Sequence, residues 1–444
     1  LKTNLVNQIT CDKGTTAVWD NETSSIKLSN IKAPDYCTID FKDGFTVTLT
    51  AGSTGTVSAP VSQMVGYNGI VTFTVTSNNE YTTLTKNTCG GTLSGNTYTI
   101  SNIKENKACE IEFGVVAQPI YDVLLKDNPT IKTRTNFNTT FTETNIGTLY
   151  KATESIANSP AKDVYYFAGD AKNNWVKFAG FYWRIIRTNH DGSIRLLYAG
   201  TSPDTTSGYI GASKFNSTDN DPMYVGYMYG TSGSLDNNRT NTNDSTIKGV
   251  IDTWYSNNLS SYTKYISTEA VYCNDREIGS GTYNTGSTAF YYAVFSRLDP
   301  STMTPTYNCS VREDSFSAST SGGGNGKLTY PIGLMTADEI AYAGGKYDSD
   351  LPSPYAWYYL NSAGGSITGS GWWWTLSPMR WSGYHSSVWT ASGSTIPGNL
   401  GNFDVRIVNG GVRPVISLKT CAMTGKGDGS ASSPYEIVET SSGC

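Results

Sequence analysis

The chain has 444 residues, a formal net charge of −5 and 16% charged residues. This length exceeds one ordinary hydrophobic core, so we expect two or three domains. Its 45 glycines and 30 tyrosines, with abundant Thr, Ser and Asn, favour short strands and turns and predict a β-dominated extracellular protein. The acidic balance excludes a basic field for nucleic acid, and no Lys/Arg cluster marks a membrane surface. No apolar run approaches the roughly 20 residues that span a bilayer.

The eight cysteines fall along the chain as close sequential neighbours. Although 105 pairings are formally open, we predict four local disulfides formed in an oxidising compartment. The predicted pairs are Cys11 with Cys37, Cys89 with Cys109, Cys273 with Cys309, and Cys421 with Cys444. With no CxxC motif and only two histidines, the sequence argues against zinc, and we expect no metal and no cofactor. The chain begins at Leu1 rather than methionine, which indicates a processed or trimmed product.

Two N-terminal segments share the pattern TC, SNIK and CxIxF. The first copy carries it at residues 10–11, 29–32 and 37–41, and the second at residues 88–89, 101–104 and 109–113. Alternation of Val71, Phe73 and Val75 with threonines predicts an antiparallel sandwich in the second copy. Residues 47–117 therefore form one predicted immunoglobulin-like repeat, which resembles the short stalk repeats of bacterial surface proteins.

The first copy, residues 1–46, is predicted to be an incomplete immunoglobulin-like repeat. About thirty residues that supply two strands precede Cys89 in the second copy, whereas only ten residues precede Cys11. An unpaired edge and an exposed apolar face would follow. Either another chain covers them by strand addition, with the tail strand at residues 435–439 of a neighbour as the suggested donor, or the missing part was cut off.

A different pattern begins after Gln118. Residues 118–160 are rich in Thr and Asn and are predicted to be a linker or arm, followed by one large domain over residues 161–444. Apolar alternation around a turn at residues 189–192 predicts a β-hairpin between Phe181 and Tyr198, with His190 as a solvated turn residue. Helices are predicted after Ser245 and after Thr336, the second with a capping box and with acidic residues that its dipole favours.

Seven motifs in a fixed order carry a resemblance to a known family. They are KFAGFYWRIIRTNHDGSIRLLYAG, TIKGVIDTWYSNNL, YCNDR, LTYPIGLMTADEIAYAGG, WWWTLSP, GVRPVISLK and GDGSASSPYEI. Together they resemble a family of uncharacterised cell-surface proteins of gut Firmicutes, over about residues 160–440. The second half of this region is similar to C-type-lectin-like domains, including the formylglycine-generating-enzyme-like and variable-receptor types. The resemblance implies a hairpin, two helices and a small twisted sheet whose loops present a ligand surface.

Two departures limit what the resemblance implies about chemistry. The sequence contains neither EPN nor QPD nor WND, the strings of calcium-dependent sugar-binding lectins. It also has no cysteine between Cys309 and Cys421, where the formylglycine-generating enzymes need a reactive pair. Neither activity is therefore expected here.

Residues 371–418 combine dense aromatics with Ser, Gly and Asn, a composition typical of binding loops. One or two of the three tryptophans at 372–374, together with several aliphatic residues, are expected to pack, and Arg413 is expected to be a structural ion. The predicted ligand-binding residues are Arg380, Trp381, Tyr384, His385, Trp389, Asn399, Asn402 and Arg406. For each of them, a surface or turn position without a ligand stays open as the alternative.

The sequence thus predicts a non-catalytic adhesin or ligand-binding subunit on the bacterial cell surface. A lectin-like head on stalk modules would bind a glycan or a protein on another surface. The alternative is a structural subunit of an extracellular filament or pilus, in which neighbouring copies join by strand exchange. A carbohydrate-active enzyme is the third reading, but paired acids for glycoside hydrolysis could be drawn from many Asp and Glu residues, so this signal is nonspecific. For a serine or cysteine triad, His385 is the only plausible base, and no nucleophile motif accompanies it.

Overall fold

The computed structural model describes residues 6–20, 23, 25–41, 44–78, 83–114, 117–157, 159–203, 208–347, 371–392, 397–440 and 442–444. The fold is β-dominated, with 42% strand and 13% helix, which confirms the predicted class at that level. The chain divides into two compact units, Leu1–Val116 and Ala117–Cys444, which we call unit 1 and unit 2.

Unit 1 contains only strands among its described residues. They are β1 (Val6–Cys11), β2 (Thr16–Asp20), β3 (Ser25–Ser29), β4 (Cys37–Phe41), β5 (Gly44–Ala51), β6 (Gly55–Val57), β7 (Ser62–Gly66), β8 (Gly69–Ser77), β9 (Thr83–Asn87), β10 (Thr92–Ser94), β11 (Thr97–Ile103) and β12 (Lys107–Gly114).

The second copy of the repeat is a pair of four-stranded sheets, ordered β10-β11-β8-β6 and β7-β5-β12-β9. In β8, Val71, Phe73 and Val75 are buried while the threonines between them are exposed, as the alternation predicted. One pair departs from the predicted antiparallel pattern, because β5 runs parallel to β12. Strand β5 begins at Gly44, a few residues before the predicted boundary at 47.

In the first copy, the described strands form only two pairs, β1 with β4 and β2 with β3. Strands β1, β2, β3 and β4 correspond to β9, β10, β11 and β12 of the second copy, respectively. Both copies place an asparagine with positive φ in the SNIK motif, at 51° for Asn30 and 58° for Asn102. Asparagine tolerates this left-handed backbone better than most residues, so the two copies share the backbone conformation of this motif.

Burial separates the two copies. Ile100 and Ile103 are 2% and 0% exposed in the second copy, where β5 to β8 complete the two sheets. The matching residues of the first copy, Leu28 and Ile31, are 51% and 63% exposed. Local geometry is therefore shared, whereas a buried core is found only in the copy with eight strands.

Unit 2 carries all five α-helices of the described chain. Its strands are β13 (Gln118–Pro119), β14 (Thr130–Lys132), β15 (Thr144–Asn145), β16 (Thr148–Glu154), β17 (Lys162–Tyr166), β18 (Asp170–Ala171), β19 (Trp175–Phe178), β20 (Phe181–Thr188), β21 (Ile194–Gly200), β22 (Gly211–Ser213), β23 (Met228–Tyr229), β24 (Asn243–Asp244), β25 (Tyr272–Cys273), β26 (Ile278–Ser280), β27 (Phe290–Tyr292), β28 (Ser315–Phe316), β29 (Trp372–Trp381), β30 (Ser386–Ser392), β31 (Leu400–Asp404), β32 (Gly410–Val412), β33 (Val415–Leu418), β34 (Met423–Lys426) and β35 (Tyr435–Ile437). Its helices are α1 (Ile120–Asp127), α2 (Leu235–Asn238), α3 (Thr246–Asn258), α4 (Ala293–Leu298) and α5 (Ala337–Ala343).

Two sheets organise unit 2. The larger has ten strands and contains the predicted hairpin as β20 and β21, with β33 paired to β21. The smaller has seven strands, in which β29 contacts β27, β30 and β32, and β31 extends the sheet beyond β30. Strands β29 and β30 are covered on both faces. Consecutive residues along them are therefore buried, and not only every second one.

Residues 118–160, predicted to be a linker or arm, belong to the larger sheet in part. Strand β13 pairs with β34, and β16 pairs with both β14 and β17. The polar composition of this segment misled the prediction, because its few apolar residues are the ones that pack: Ile120, Leu124 and Leu149 lie in the main core.

Both predicted helices have the predicted caps. The Ser245 side chain accepts from the backbone of Lys248 at the start of α3, and Thr336 and Glu339 form a reciprocal capping box at α5. Gly344, with φ of 117°, ends α5 in a left-handed conformation. No helix in the described ranges is long and apolar enough to cross a membrane.

A buried ionic network links the elements of unit 2. Glu339 accepts from both Arg187 and Arg195, and Arg187 also pairs with Glu154. Two further clusters join arginines to acids: Arg276 and Arg239 with Asp314, and Arg297 with Asp275 and Asp338. The two acids of the second predicted helix, Asp338 and Glu339, are thus ion-paired inside the unit and are more than first-turn residues.

The four disulfides join the cysteines in the predicted sequential pairs. Such bonds are typical of an oxidising compartment outside the cytoplasm. The last one ties Cys444 to Cys421, next to strand β34. The tail strand β35 pairs with β34 and runs parallel to β19 of its own chain. Strand exchange that uses this tail as donor would therefore require β35 to leave its own sheet.

Candidate functional site

The candidate site is one face of four neighbouring strands in the smaller sheet of unit 2. Tyr291 of β27 lies opposite Arg380 of β29, Arg380 lies opposite Ser387 of β30, and Ser387 lies opposite Asp404 of β31. Directly opposed residues of antiparallel strands point to the same face of a sheet. The Ser387 hydroxyl donates to Asp404 Oδ1 at 2.9 Å, as this placement requires. We call this row of four residues the polar row.

A second row, Trp389 and Asn402, follows two residues further along β30 and β31 on the same face. Phe295 of helix α4 covers it: the Phe295 ring stacks on Tyr291 with centroids 4.3 Å apart and lies parallel to Trp389 at 6.3 Å. Tyr347 meets Trp389 edge to face at 4.9 Å. Trp389 is fully buried, and its Nε1 has no hydrogen-bond partner. Aromatic rings therefore border the polar row on one side.

Arg380 differs from the other arginines inside unit 2. It is half-buried, and its Nε is shielded from water without a hydrogen-bond partner. Within the part of the chain that the structure describes, no carboxylate or carbonyl pairs with its guanidinium. By contrast, Arg413, which the sequence predicted to be structural, is buried and donates to the backbone oxygen of Tyr198.

An ionic cluster lies at the end of the polar row. His385 Nδ1 is 2.9 Å from Asp219 Oδ2, and Arg406 Nε is 3.5 Å from the same oxygen. Asp219 is held in place by its own backbone oxygen, which accepts from the Ser386 amide. The cluster thus joins two predicted ligand-binding residues through a buried acid that the sequence prediction missed.

The same cluster contains residue types that can bind a metal ion. Donor atoms of Asp219, His385 and Asp404 lie within 4.8 Å of one another, the one such group among the described residues. However, the Asp219 oxygen nearest to His385 is also shared with the cationic Arg406, and Asp404 accepts from Ser387. A guanidinium this close opposes a divalent cation by charge, so the group is better described as an ion-pair cluster.

The other predicted ligand-binding residues lie apart from the polar row. Trp381 is buried on the opposite face, where its Nε1 donates to the Gly286 oxygen at 2.7 Å. Tyr384 is 69% exposed in the turn that leads to His385. Asn399 lies at the far end of the β30–β31 hairpin, in a backbone bridge with Lys346. Arg380, His385, Trp389, Asn402 and Arg406 are the five that the fold brings together.

Four residues of the polar row and the ionic cluster were missed by sequence reasoning: Asp219, Tyr291, Ser387 and Asp404. Asp404 lies inside the block at residues 371–418, where the alternation of strand β31 was the available signal. Asp219 lies 166 residues before its partner His385, and Tyr291 lies 89 residues before its partner Arg380. No local pattern in the sequence reports such partners.

His190, predicted to be a solvated turn residue, is instead packed between two segments. Its ring Nε2 is 3.0 Å from the Gly322 oxygen and its Nδ1 is 3.3 Å from Glu154 Oε2. Burial by itself lowers the pKa of His190, but the hydrogen bond and charge of Glu154 outweigh it, so the pKa is raised above its ordinary value. This histidine belongs to the ionic network rather than to the ligand surface.

Cavities elsewhere in unit 2 do not compete with this face. The cavity among Glu154, Arg187, Arg195 and Glu339 has a volume of about 20 Å³, enough for a single water molecule. A larger groove of about 560 Å³ lies between residues 156–159 and 310–313, but it is shallow and open. No protein-family model, no curated protein and no solved structure matches this chain.

Proposed function

We propose that this protein is a non-catalytic, ligand-binding subunit of the bacterial cell surface, an adhesin whose head is unit 2. The observation that carries the proposal is the convergence of Arg380, His385, Asn402 and Arg406 around one sheet face and its edge. Arginine, tyrosine and tryptophan are the residues that most often carry binding energy at interfaces. The four disulfides are compatible with an extracellular setting.

The proposed architecture is a C-type-lectin-like head on immunoglobulin-like stalk modules. In support, the second repeat has two four-stranded sheets, with a disulfide from Cys89 to Cys109. Unit 2 has the expected hairpin, the two expected helices α3 and α5, and a small sheet that carries the candidate site. Both assignments are consistent with the architecture and rest on the resemblance noted in the sequence.

A catalytic role is less well supported. The pair Asp219–His385 has the geometry of the acid and base in a hydrolase triad, with the acid on Nδ1. A triad also needs a nucleophile on the other ring nitrogen. Among the described residues, no hydroxyl bonds His385 Nε2. Turnover of polysaccharide substrates that is lost in His385→Ala would revive the enzymatic alternative.

The proposal is tested by binding of the full chain to immobilised glycans and host-surface proteins. Tyr384→Ala and Arg406→Ala are the informative variants, because both side chains are exposed beside the cluster. Each is expected to reduce binding about tenfold, as the loss of a moderate contact does. Tyr36→Ala is the matched control, since Tyr36 is an exposed tyrosine of unit 1. Binding that is insensitive to every substitution on unit 2 would remove this function.

A second candidate function is a filament subunit, and the first copy of the repeat favours it. Leu28 and Ile31 are exposed where the second copy buries its residues beneath β5 to β8. A strand from another polypeptide would bury both and complete the sheets. The expected result is oligomers or fibres of the full chain by light scattering and negative-stain microscopy, dispersed by Leu28→Asp. A strictly monomeric chain at high concentration contradicts this candidate.

A further inference from the structure

Among the residues that the structure describes, none provides a counter-ion for the guanidinium of Arg380. In the described part of unit 2, the other arginines that are buried or half-buried each donate to a carboxylate or to a carbonyl oxygen. Examples are Arg187 with Glu154, Arg276 with Asp314 and Arg134 with the oxygen of Ala341. Arg380 has no such partner, and its Nε is buried and unbonded. Burying an unpaired donor is costly, and because the side chain is only half-buried, the rest of the guanidinium is within reach of a ligand.

The surroundings of Arg380 indicate the chemistry of that ligand. A guanidinium presents paired donors in a planar fork that fits carboxylate and sulfate oxygens. Directly opposite on β27 is Tyr291, half-exposed and stacked on Phe295 at 4.3 Å. Such a stacked aromatic pair offers a rigid flat wall for the apolar face of a ring. On the other side, the Ser387 hydroxyl donates to Asp404 Oδ1 at 2.9 Å.

The charge of the chain decides between a single oxyanion and a polyanion. The formal net charge is −5, and the neighbouring His385 and the cationic Arg406 already contact Asp219. A long polyanion needs several free cations and gains from a basic field, and this face provides one. Recognition of one oxyanion next to a ring is therefore favoured.

We propose that Arg380 binds the oxyanion of an acidic saccharide, with the sugar ring against Tyr291. The inference rests on the proposed function of unit 2 as a ligand-binding head, and it names the ligand class. Carboxylated and sulfated sugars share the required chemistry, and neutral sugars lack it. Arg380 and Tyr291 are the binding residues.

The test is calorimetric titration of the full chain with three probes built on the same disaccharide: sialyllactose, sulfated lactose and lactose. Binding of at least one acidic probe is expected, with lactose at least tenfold weaker. Arg380→Gln should reduce binding of the acidic probe at least tenfold, and Arg380→Lys should fall between it and the native chain because it loses the paired donors. Arg312→Gln, at an exposed arginine of unit 2, removes the same charge and should bind normally.

The outcomes separate this inference from the function on which it rests. The acidic probe that binds identifies the source of the oxyanion as carboxylate or sulfate. Equal binding of lactose and the acidic probes, unaffected by Arg380→Gln, overturns the inference and leaves a ligand-binding head in place. If the chain binds an acidic protein but no glycan, the assignment of a saccharide as the ligand is wrong. Absence of any glycan or protein ligand overturns both. Unchanged tryptophan emission of Arg380→Gln shows that the variant is folded.

Discussion

Units 1 and 2 are both built from packed strands, but the composition of their interiors differs. Among the described residues of unit 1, the buried side chains are apolar or aromatic, and its ion pairs, such as Lys86 with Glu110, are on the surface. Unit 2 buries arginines and acids together in three connected clusters. An apolar interior specifies little about loop positions, whereas paired charges must meet in fixed geometry. The difference suggests that unit 2 needs defined loops and that unit 1 needs only a stable sandwich.

The largest expected difference between the two units is in the cost of removing one charged side chain from each. Glu339→Gln leaves Arg187 and Arg195 buried with less negative charge to balance them. We expect a loss of about 3–5 kcal/mol in the free energy of unfolding, as for other buried pairs that lose one partner. Urea unfolding followed by tryptophan fluorescence measures it, because nine of the ten tryptophans are in unit 2.

Glu110→Gln is the matched control in unit 1. Its pair with Lys86 is half-exposed, so hydrogen exchange of the second repeat should not change measurably. Equal effects of the two substitutions would mean that the contrast between the interiors has no energetic counterpart.

A somewhat smaller effect is expected within unit 1, when matching residues of the two copies of the repeat are truncated. Ile100→Ala removes a buried side chain and should cost about 2–5 kcal/mol, measured by hydrogen exchange of peptides from β8 and β12. Leu28→Ala changes the matching exposed position and should stay within about 0.5 kcal/mol. If Leu28→Ala costs as much as Ile100→Ala, the first copy is covered in solution, which supports the filament candidate.

The smallest expected effect concerns pH. Because Glu154 raises the pKa of His190 in the folded state, the histidine stabilises unit 2 fully below its unfolded pKa of about 6.5. This contribution is lost as the pH rises through the raised pKa. The urea midpoint of unit 2 should therefore fall on the alkaline side of pH 6.5, and His190→Asn should flatten that slope. A flat profile in the native chain contradicts the role of Glu154.

The sequence predicted those features whose signal is local. Spacing was sufficient for the four disulfides, the hairpin of β20 and β21, and the cap of α5. Each of these depends on residues within a few dozen positions of one another. The same is true of the exposed first copy, whose missing strands were inferred from the length of chain before its first cysteine.

Long-range pairing and two-sided burial lay beyond the sequence. Trp381 and Trp389 were predicted to contact a ligand, yet they lie on opposite faces of their strands and both are covered. Asp219 and His385 are 166 residues apart, and the ionic partners Arg187 and Glu339 are 152 apart. Neither hydropathy nor spacing records which distant charges meet, so Arg380 could be distinguished as unpaired only from the fold.

The C-terminal disulfide has a mechanical consequence. Strand β13, where the chain passes into unit 2, pairs with β34, and the Ile120 amide bonds the Ala422 oxygen at 2.9 Å. Cys421, adjacent to these residues, is bonded to Cys444. Tension between Gln118 and Cys444 therefore travels through one short strand pair and one covalent bond. The sheet with the polar row lies off this path, so stretching the chain between these two residues does not act directly on the polar row.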